Sequence, residues 1–142
     1  MANYKQFEDE FFIGPQPTED DLNEAQRQGI RTVIDMRLPT ETATPNADLV
    51  ERSGLHYINI PVNKAALSAE QIDAFDAVLK HTEGPYLLHC ATGTRAAMLL
   101  ALSRARQQGW TAERAFQEAK AMGYNLQNSP DFAAFVKQIA DK

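Results

Sequence analysis

Apolar and polar positions alternate in two short pieces near the start of the chain, Tyr4–Phe7 and Phe11–Ile13, with Glu8, Asp9 and Glu10 between them. That pattern predicts a small antiparallel hairpin or edge pair. Gly14-Pro15-Gln16-Pro17 interrupts it. Thr18, followed by Glu19, Asp20 and Asp21, reads as an N-cap with acid in the first helical turn, and the helix runs to Gly29 at its C′ position. Ile30–Met36, β-branched at its centre, predicts a buried strand, and Leu38–Pro45 a polar loop. Asn46 is placed to cap a short helix ending at Gly54, and Leu55–Ile60 is the next strand, closed by Pro61. Ser68-Ala-Glu-Gln71 is a capping box, after which Ile72, Phe75, Val78 and Leu79 recur at helical spacing until Glu83-Gly84-Pro85. Tyr86–His89 is a third central strand. After Arg95 the run Ala96–Leu102 is apolar on nearly every face, the pattern of a buried helix, and Gly109 stops it. Thr111 caps another helix, Gly123-Tyr-Asn-Leu126 makes a turn, and Ser129-Pro130 opens a last helix through Ile139.

Strands separated by helices give a βαβ order. The expected fold is α/β, with a mainly parallel central sheet flanked by helices on both faces and a C-terminal helical cluster. With 142 residues, one domain spanning residues 1–142 is the economical expectation. In such sheets ligands sit outside the carboxyl ends of the strands. His89-Cys90, Asp35-Met36-Arg37 and Pro61-Val62-Asn63 all fall at that edge.

A formal charge of −5 argues against broad attraction to nucleic acid or anionic lipid, so any bound anion must be held locally. No apolar run reaches the roughly 20 residues that cross a bilayer, and the first residues lack a secretory pattern, so a cytoplasmic location is expected. One cysteine excludes an intramolecular disulfide, a multi-cysteine zinc site and a resolving partner within the chain. His56, His81 and His89 show no ligand spacing; no metal and no cofactor are expected. Oligomeric state is not set by anything in the sequence.

Chemistry concentrates in Tyr86-Leu-Leu-His-Cys-Ala-Thr-Gly-Thr-Arg95. Wrapped as a half-ring, Ala91, Thr92, Gly93 and Thr94 would aim backbone N–H groups inward, forming a nest for a tetrahedral anion at the start of the following helix. A cysteine in that field, beside a cation, is placed to act as a thiolate. Arg95 is placed to bind two oxygens of an anion in its planar fork, and Gly93 to give the loop its backbone freedom. A basic residue in a first helical turn opposes the macrodipole unless an anion sits there, which favours reading Cys90 and Arg95 together as catalytic. Three residues are supporting candidates. His89 is placed to orient the loop or serve as a core histidine. Arg37 would add positive potential, pair with Glu41, or more plainly form a structural ion pair with Asp35. Asn125 would bond the loop or substrate, or act as a turn residue. Phe7, Phe11 and Phe12 read as packing rather than a substrate platform.

His-Cys-Ala-Thr-Gly-Thr-Arg, between a strand and a long helix, resembles the phosphate loop of the cysteine-dependent protein tyrosine and dual-specificity phosphatases. The wider chain resembles a bacterial branch, the phosphatase-like domain of beta-lactamase-hydrolase-like proteins, through Phe12-Ile-Gly-Pro-Gln-Pro17, Gly29-x-x-Thr-Val-Ile-Asp-x-Arg37, Ile60-Pro-Val62, Gly84-Pro85 and Gly123-Tyr-Asn-Leu126. The resemblance implies a phosphatase-type fold and a phosphomonoester substrate, either a small phosphorylated molecule or a phosphoprotein. It also implies a phosphocysteine on Cys90, with Arg95 and the loop amides holding the phosphoryl oxygens.

The chain departs from that pattern in three places. Four residues separate cysteine from arginine where the well-characterised phosphatases have five. The segment Pro61–Leu67, where an aspartate general acid belongs, holds no carboxylate, leaving Glu41 or Asp48 as substitutes. Ala96 stands where a serine or threonine often follows the arginine. A four-residue loop is also similar to that of rhodanese-type sulfurtransferases, in which a persulfide is carried and no acid is needed. An oxyanion-binding domain without turnover is a third expectation.

Overall fold

The computed structural model of the chain describes residues 3–41 and 46–140. β1 (Lys5–Phe7) and β2 (Phe11–Gly14) pair antiparallel, with Glu8 and Asp9 taking positive φ in the turn between them. α1 spans Glu19–Arg27, β3 Thr32–Asp35, α2 Asn46–Arg52, β4 His56–Asn59 and α3 Ala69–His81. β5 covers Tyr86–His89 and leads into α4 (Thr94–Gln108), α5 (Ala112–Ala121) and α6 (Pro130–Ala140). The five strands form one sheet in the order β1-β2-β5-β3-β4, parallel except at the β1–β2 edge. The expected α/β architecture is the one observed.

Strand alternation sends neighbouring side chains to opposite faces, and two cores result. Val33 and Leu87 pack with Leu22 and Ala25 of α1, Val50 of α2 and Leu55, the residue before β4. Phe11, Ile13, Ile34 and Leu88 pack on the other side with α3, α4, α5 and α6. Within that larger core α4 lies against β2, β5 and its three neighbouring helices, and every side chain from Ala96 to Ser103 is buried. Truncating a side chain as enclosed as Leu99 to alanine costs about 2–5 kcal/mol, transfer and cavity together.

The capping chemistry is local and visible. Thr18 Oγ1 accepts from the Asp21 amide at 3.1 Å, and Asp21 reciprocates to the Thr18 amide at 2.9 Å. The Gln71 side chain accepts from the Ser68 amide at 2.9 Å, and Ser129 Oγ from the Phe132 amide at 3.4 Å. Boundaries differ where apolar runs overreach the ladders. Ile30, Met36, Leu55 and Ile60 are buried but lie just outside β3 and β4, because hydrophobic pattern reports burial rather than strand pairing. α2 begins at Asn46 itself, and residue 45 before it lies outside the described residues. The expected loop from Leu38 contains a 3₁₀ turn at Pro39–Glu41; its remainder, 42–45, also lies outside the described residues.

Candidate active site

Parallel register sets the level of the site. Asp35 pairs with His89 across β3 and β5, and with Asn59 across β3 and β4, so three polar residues end adjacent strands side by side. Asp35 anchors this layer. Its carboxylate accepts from the Arg37 amide at 2.9 Å, from Arg37 Nε and Nη2 at 3.0 and 2.9 Å, and from the Tyr57 hydroxyl at 2.8 Å. Burial alone would favour its neutral form, but the hydrogen bonds from Arg37 and the Tyr57 hydroxyl hold its pKa below the ordinary value. Arg37 is therefore the structural partner of Asp35, its side chain 1% exposed, rather than a free cation facing substrate. Its Nη1 has no hydrogen-bond partner among the described residues.

His89 is fully buried. Its Nδ1 lies 3.1 Å from the Cys90 carbonyl, which can only accept, so the proton sits on Nδ1. Burial pushes its pKa down against the opposing pull of Asp35, favouring a neutral imidazole bonded to the Cys90 backbone.

Cys90 follows the end of β5 and is buried at the edge of the larger core, and its sulfur accepts from the Gly93 amide at 3.0 Å. The loop closes over that contact through bonds from both flanks. The Ala91 carbonyl accepts from the Gln16 amide at 3.2 Å, tying the loop to the proline-rich break after β2. The Thr92 carbonyl accepts from the Tyr124 hydroxyl at 2.9 Å, and the Thr92 and Thr94 hydroxyls lie 3.2 Å apart. Gly93 is the N-cap of α4, with φ 106°, a backbone conformation side chains rarely adopt. A Cβ there would lie 2.0 Å from the Tyr124 Oη. α4 thus starts at Thr94, one residue earlier than expected.

Arg95 does not hang in solvent. Its Nη1 and Nη2 donate to the two carboxylate oxygens of Glu41 at 2.5 and 2.7 Å, and Nη1 also donates to the Val62 carbonyl at 3.0 Å. Glu41 Oε1 accepts in addition from the Leu38 amide at 2.9 Å. The Arg95 bonds, outweighing burial, pull the Glu41 carboxyl down to about 2. Held that way, Glu41 is a carboxylate at neutral pH and has no proton to give. Asp48, the other substitute acid, lies in α2. The segment expected to carry an acid contains instead a 3₁₀ turn, Lys64–Ala66, capped by Asn63.

Asn125 caps a further 3₁₀ turn, Leu126–Asn128, accepting from the Gln127 amide at 3.1 Å, and it also lines a cavity with Thr92, Thr94 and Arg95. Among the described residues no cluster of three or more His, Cys, Asp or Glu side chains could hold a metal ion. Two contacts were not readable from the motif. Tyr124 clamps Thr92, and Val62 offers a carbonyl to Arg95; for Tyr124 the adjacent Gly123, with φ 99°, was the available sign of a tight approach. The arrangement sets the Gly93 amide against the Cys90 sulfur and brings the Arg95 guanidinium close enough to interact with it.

The model of the phosphatase-like domain of beta-lactamase hydrolase-like protein matches residues 3–107. Beta-lactamase hydrolase-like proteins from Xylella fastidiosa (strain Temecula1) and Agrobacterium fabrum are 38% and 32% identical over 96 and 98 residues, or 64% and 66% of this chain. Those alignments span only 22% and 23% of the relatives' own lengths. A candidate phosphatase of known structure from Neisseria meningitidis superposes with TM-score 0.81 at 27% identity, covering 98% of this chain and 99% of that one. TpbA from P. aeruginosa shares the fold, with TM-score 0.79 at 19% identity over 96% of this chain and 84% of its own. The α/β sheet, the cysteine loop at its carboxyl edge and the match over most of the chain agree, and the chain belongs to the family of beta-lactamase hydrolase-like protein phosphatase-like domains.

Proposed function

We propose that Cys90 is the nucleophile of a phosphatase-type reaction on a phosphomonoester carried by a small molecule or a phosphoprotein. The observation that carries this reading is the Gly93 amide aimed at the Cys90 sulfur in a loop that opens directly into α4. The thiolate attacks phosphorus, the bond from phosphorus to the leaving oxygen breaks, and its electron pair departs with that oxygen. Water then attacks the phosphocysteine, the S–P bond breaks, and phosphate and thiolate are released. The amides of residues 91–94 and the Arg95 fork receive the phosphoryl oxygens, the latter by exchanging the Glu41 carboxylate for the anion. His89 acts as a positioning residue through the Cys90 carbonyl. Phosphate release from 4-nitrophenyl phosphate, lost in Cys90→Ser, tests the reading; no release by the wild type refutes it.

Sulfur transfer is a second reading, favoured by three specific observations: a loop of four residues, a Glu41 held ionised, and a segment 61–67 without a carboxylate. In it the Cys90 thiolate attacks the sulfane sulfur of a donor such as thiosulfate, the S–S bond breaks and sulfite leaves. An acceptor such as cyanide then takes the sulfur from the persulfide and restores the thiolate. No leaving group needs a proton. Thiocyanate formation from thiosulfate and cyanide distinguishes it, and anion binding with neither turnover would leave a binding domain.

A further inference from the structure

A cavity of about 540 Å³ opens beside the cysteine loop, within the range of small-molecule sites. Its wall includes Lys64, Thr94, Arg95, Asn125, Asn128 and Phe132, so the cysteine loop, the 3₁₀ turn after β4 and the start of α6 all contribute. Among the described residues that wall contains two cations and no carboxylate, in a chain whose net charge is −5. The two cations differ in their engagement. Arg95 is paired to Glu41, as Arg31, Arg37, Arg104, Arg106 and Arg114 are paired to other carboxylates, whereas the ion pairs among the described residues do not include Lys64. The Lys64 ammonium instead lies 5.5 Å from the centroid of the Phe132 ring. An aromatic face steadies the charge through its quadrupole but accepts none of the three N–H donors as a carboxylate would.

We propose that Lys64 is a specificity-determining residue, and that the substrate is a small molecule with a second anionic group besides the one presented to Cys90. The reacting group sits in the cysteine loop, and the second anion, a carboxylate or a phosphate, reaches along Thr94 and Arg95 to the Lys64 ammonium. Asn125 and Asn128 offer amide donors on the same wall. A bland surface lysine would gain nothing from three converging elements; here the ammonium is part of a concave, acid-free wall continuous with the loop of the nucleophile. The proposal rests on the reading that Cys90 takes its group from an anionic donor.

The test is calorimetric binding of phosphonates, which cannot be turned over. Methylphosphonate carries the loop-directed group alone; phosphonoacetate, 3-phosphonopropionate and 4-phosphonobutyrate add a carboxylate at increasing reach. At least one carboxylated member should bind about tenfold tighter than methylphosphonate, the gain of one charge-assisted contact in a part-exposed pocket. Bisphosphonates of matched reach separate a phosphate from a carboxylate as the preferred second group. Lys64→Ala should collapse the ratio of carboxylated to plain phosphonate affinities toward one, and Lys64→Arg should restore most of it. Equal affinities across the wild-type series, or a ratio unmoved by Lys64→Ala, overturns the proposal while leaving the phosphatase reading standing. A phosphotyrosine peptide that outcompetes every small dianion, equally in wild type and Lys64→Ala, also overturns it. Absence of all phosphonate binding overturns both.

Discussion

Gly93→Ala is the substitution whose cost can be worked most directly from the geometry. Two penalties are separable. The backbone at φ 106° disfavours any residue with a Cβ, by about 1–2 kcal/mol. The new carbon would also sit 2.0 Å from Tyr124 Oη and 2.4 Å from its Cζ, an overlap relieved by swinging the ring away. That movement breaks the bond from the Tyr124 hydroxyl to the Thr92 carbonyl, worth about 0.5–1.5 kcal/mol, and unpacks the ring. The sum is about 2–4 kcal/mol. In a Tyr124→Ala background the obstruction is gone, and Gly93→Ala should cost only the backbone share, about 1–2 kcal/mol. Urea denaturation of the wild type, both single variants and the double variant closes the cycle, with a coupling of about 1–2 kcal/mol expected. Equal costs in the two backgrounds would refute the claim that Tyr124 and Gly93 are matched across the loop.

Three other expectations use the same measurement. Glu41, with a carboxyl lowered from 4.5 to about 2 in the fold, binds fewer protons folded than unfolded near pH 3–4. Its stabilisation is therefore fully present above about pH 4.5 and lost as pH falls toward about 2. The stability gap between wild type and Glu41→Gln should shrink across that window; a gap constant from neutral pH to about pH 3 contradicts the pairing. Asp35→Asn removes the partner of a buried guanidinium and should cost about 3–5 kcal/mol, far beyond the effect of an exposed ion pair. A loss under about 1 kcal/mol would show the Arg37 charge to be solvated by other means. Leu99→Ala, in the middle of α4, should cost about 2–5 kcal/mol; a near-neutral outcome would mean that the helix is not enclosed as described.

Local chemistry was the legible part of this chain. Thr18 with Asp21, Ser68 with Gln71 and Ser129 before Pro130 announce helix starts within a few residues, and the structure places helices there. The loop from Cys90 to Arg95 was likewise readable, because its elements adjoin in sequence. Contacts between distant positions were not. Arg95 and Glu41 lie 54 positions apart and meet only because β3 and β5 are neighbours whose following loops emerge at the same edge. Nothing periodic marks such a pair, and sequence alone offers Glu41 only as a stand-in acid or a partner for Arg37, whereas its bond to Arg95 keeps it ionised. Tyr124 and Thr92, 32 positions apart, are joined for the same kind of reason, by helix packing. Arg37 was legible in its plainer role, since an aspartate two residues before it at a strand end already supplied a partner.

In both enzymatic readings Cys90 carries the transferred group covalently. Intact-mass and peptide mapping of rapidly quenched protein, after exposure to 4-nitrophenyl phosphate and separately to thiosulfate, measures this directly. The expected result is an adduct confined to Cys90, one phosphoryl group from the first donor or one sulfur atom from the second, and absent from Cys90→Ser. No adduct from either donor, or an adduct on another residue, would contradict it.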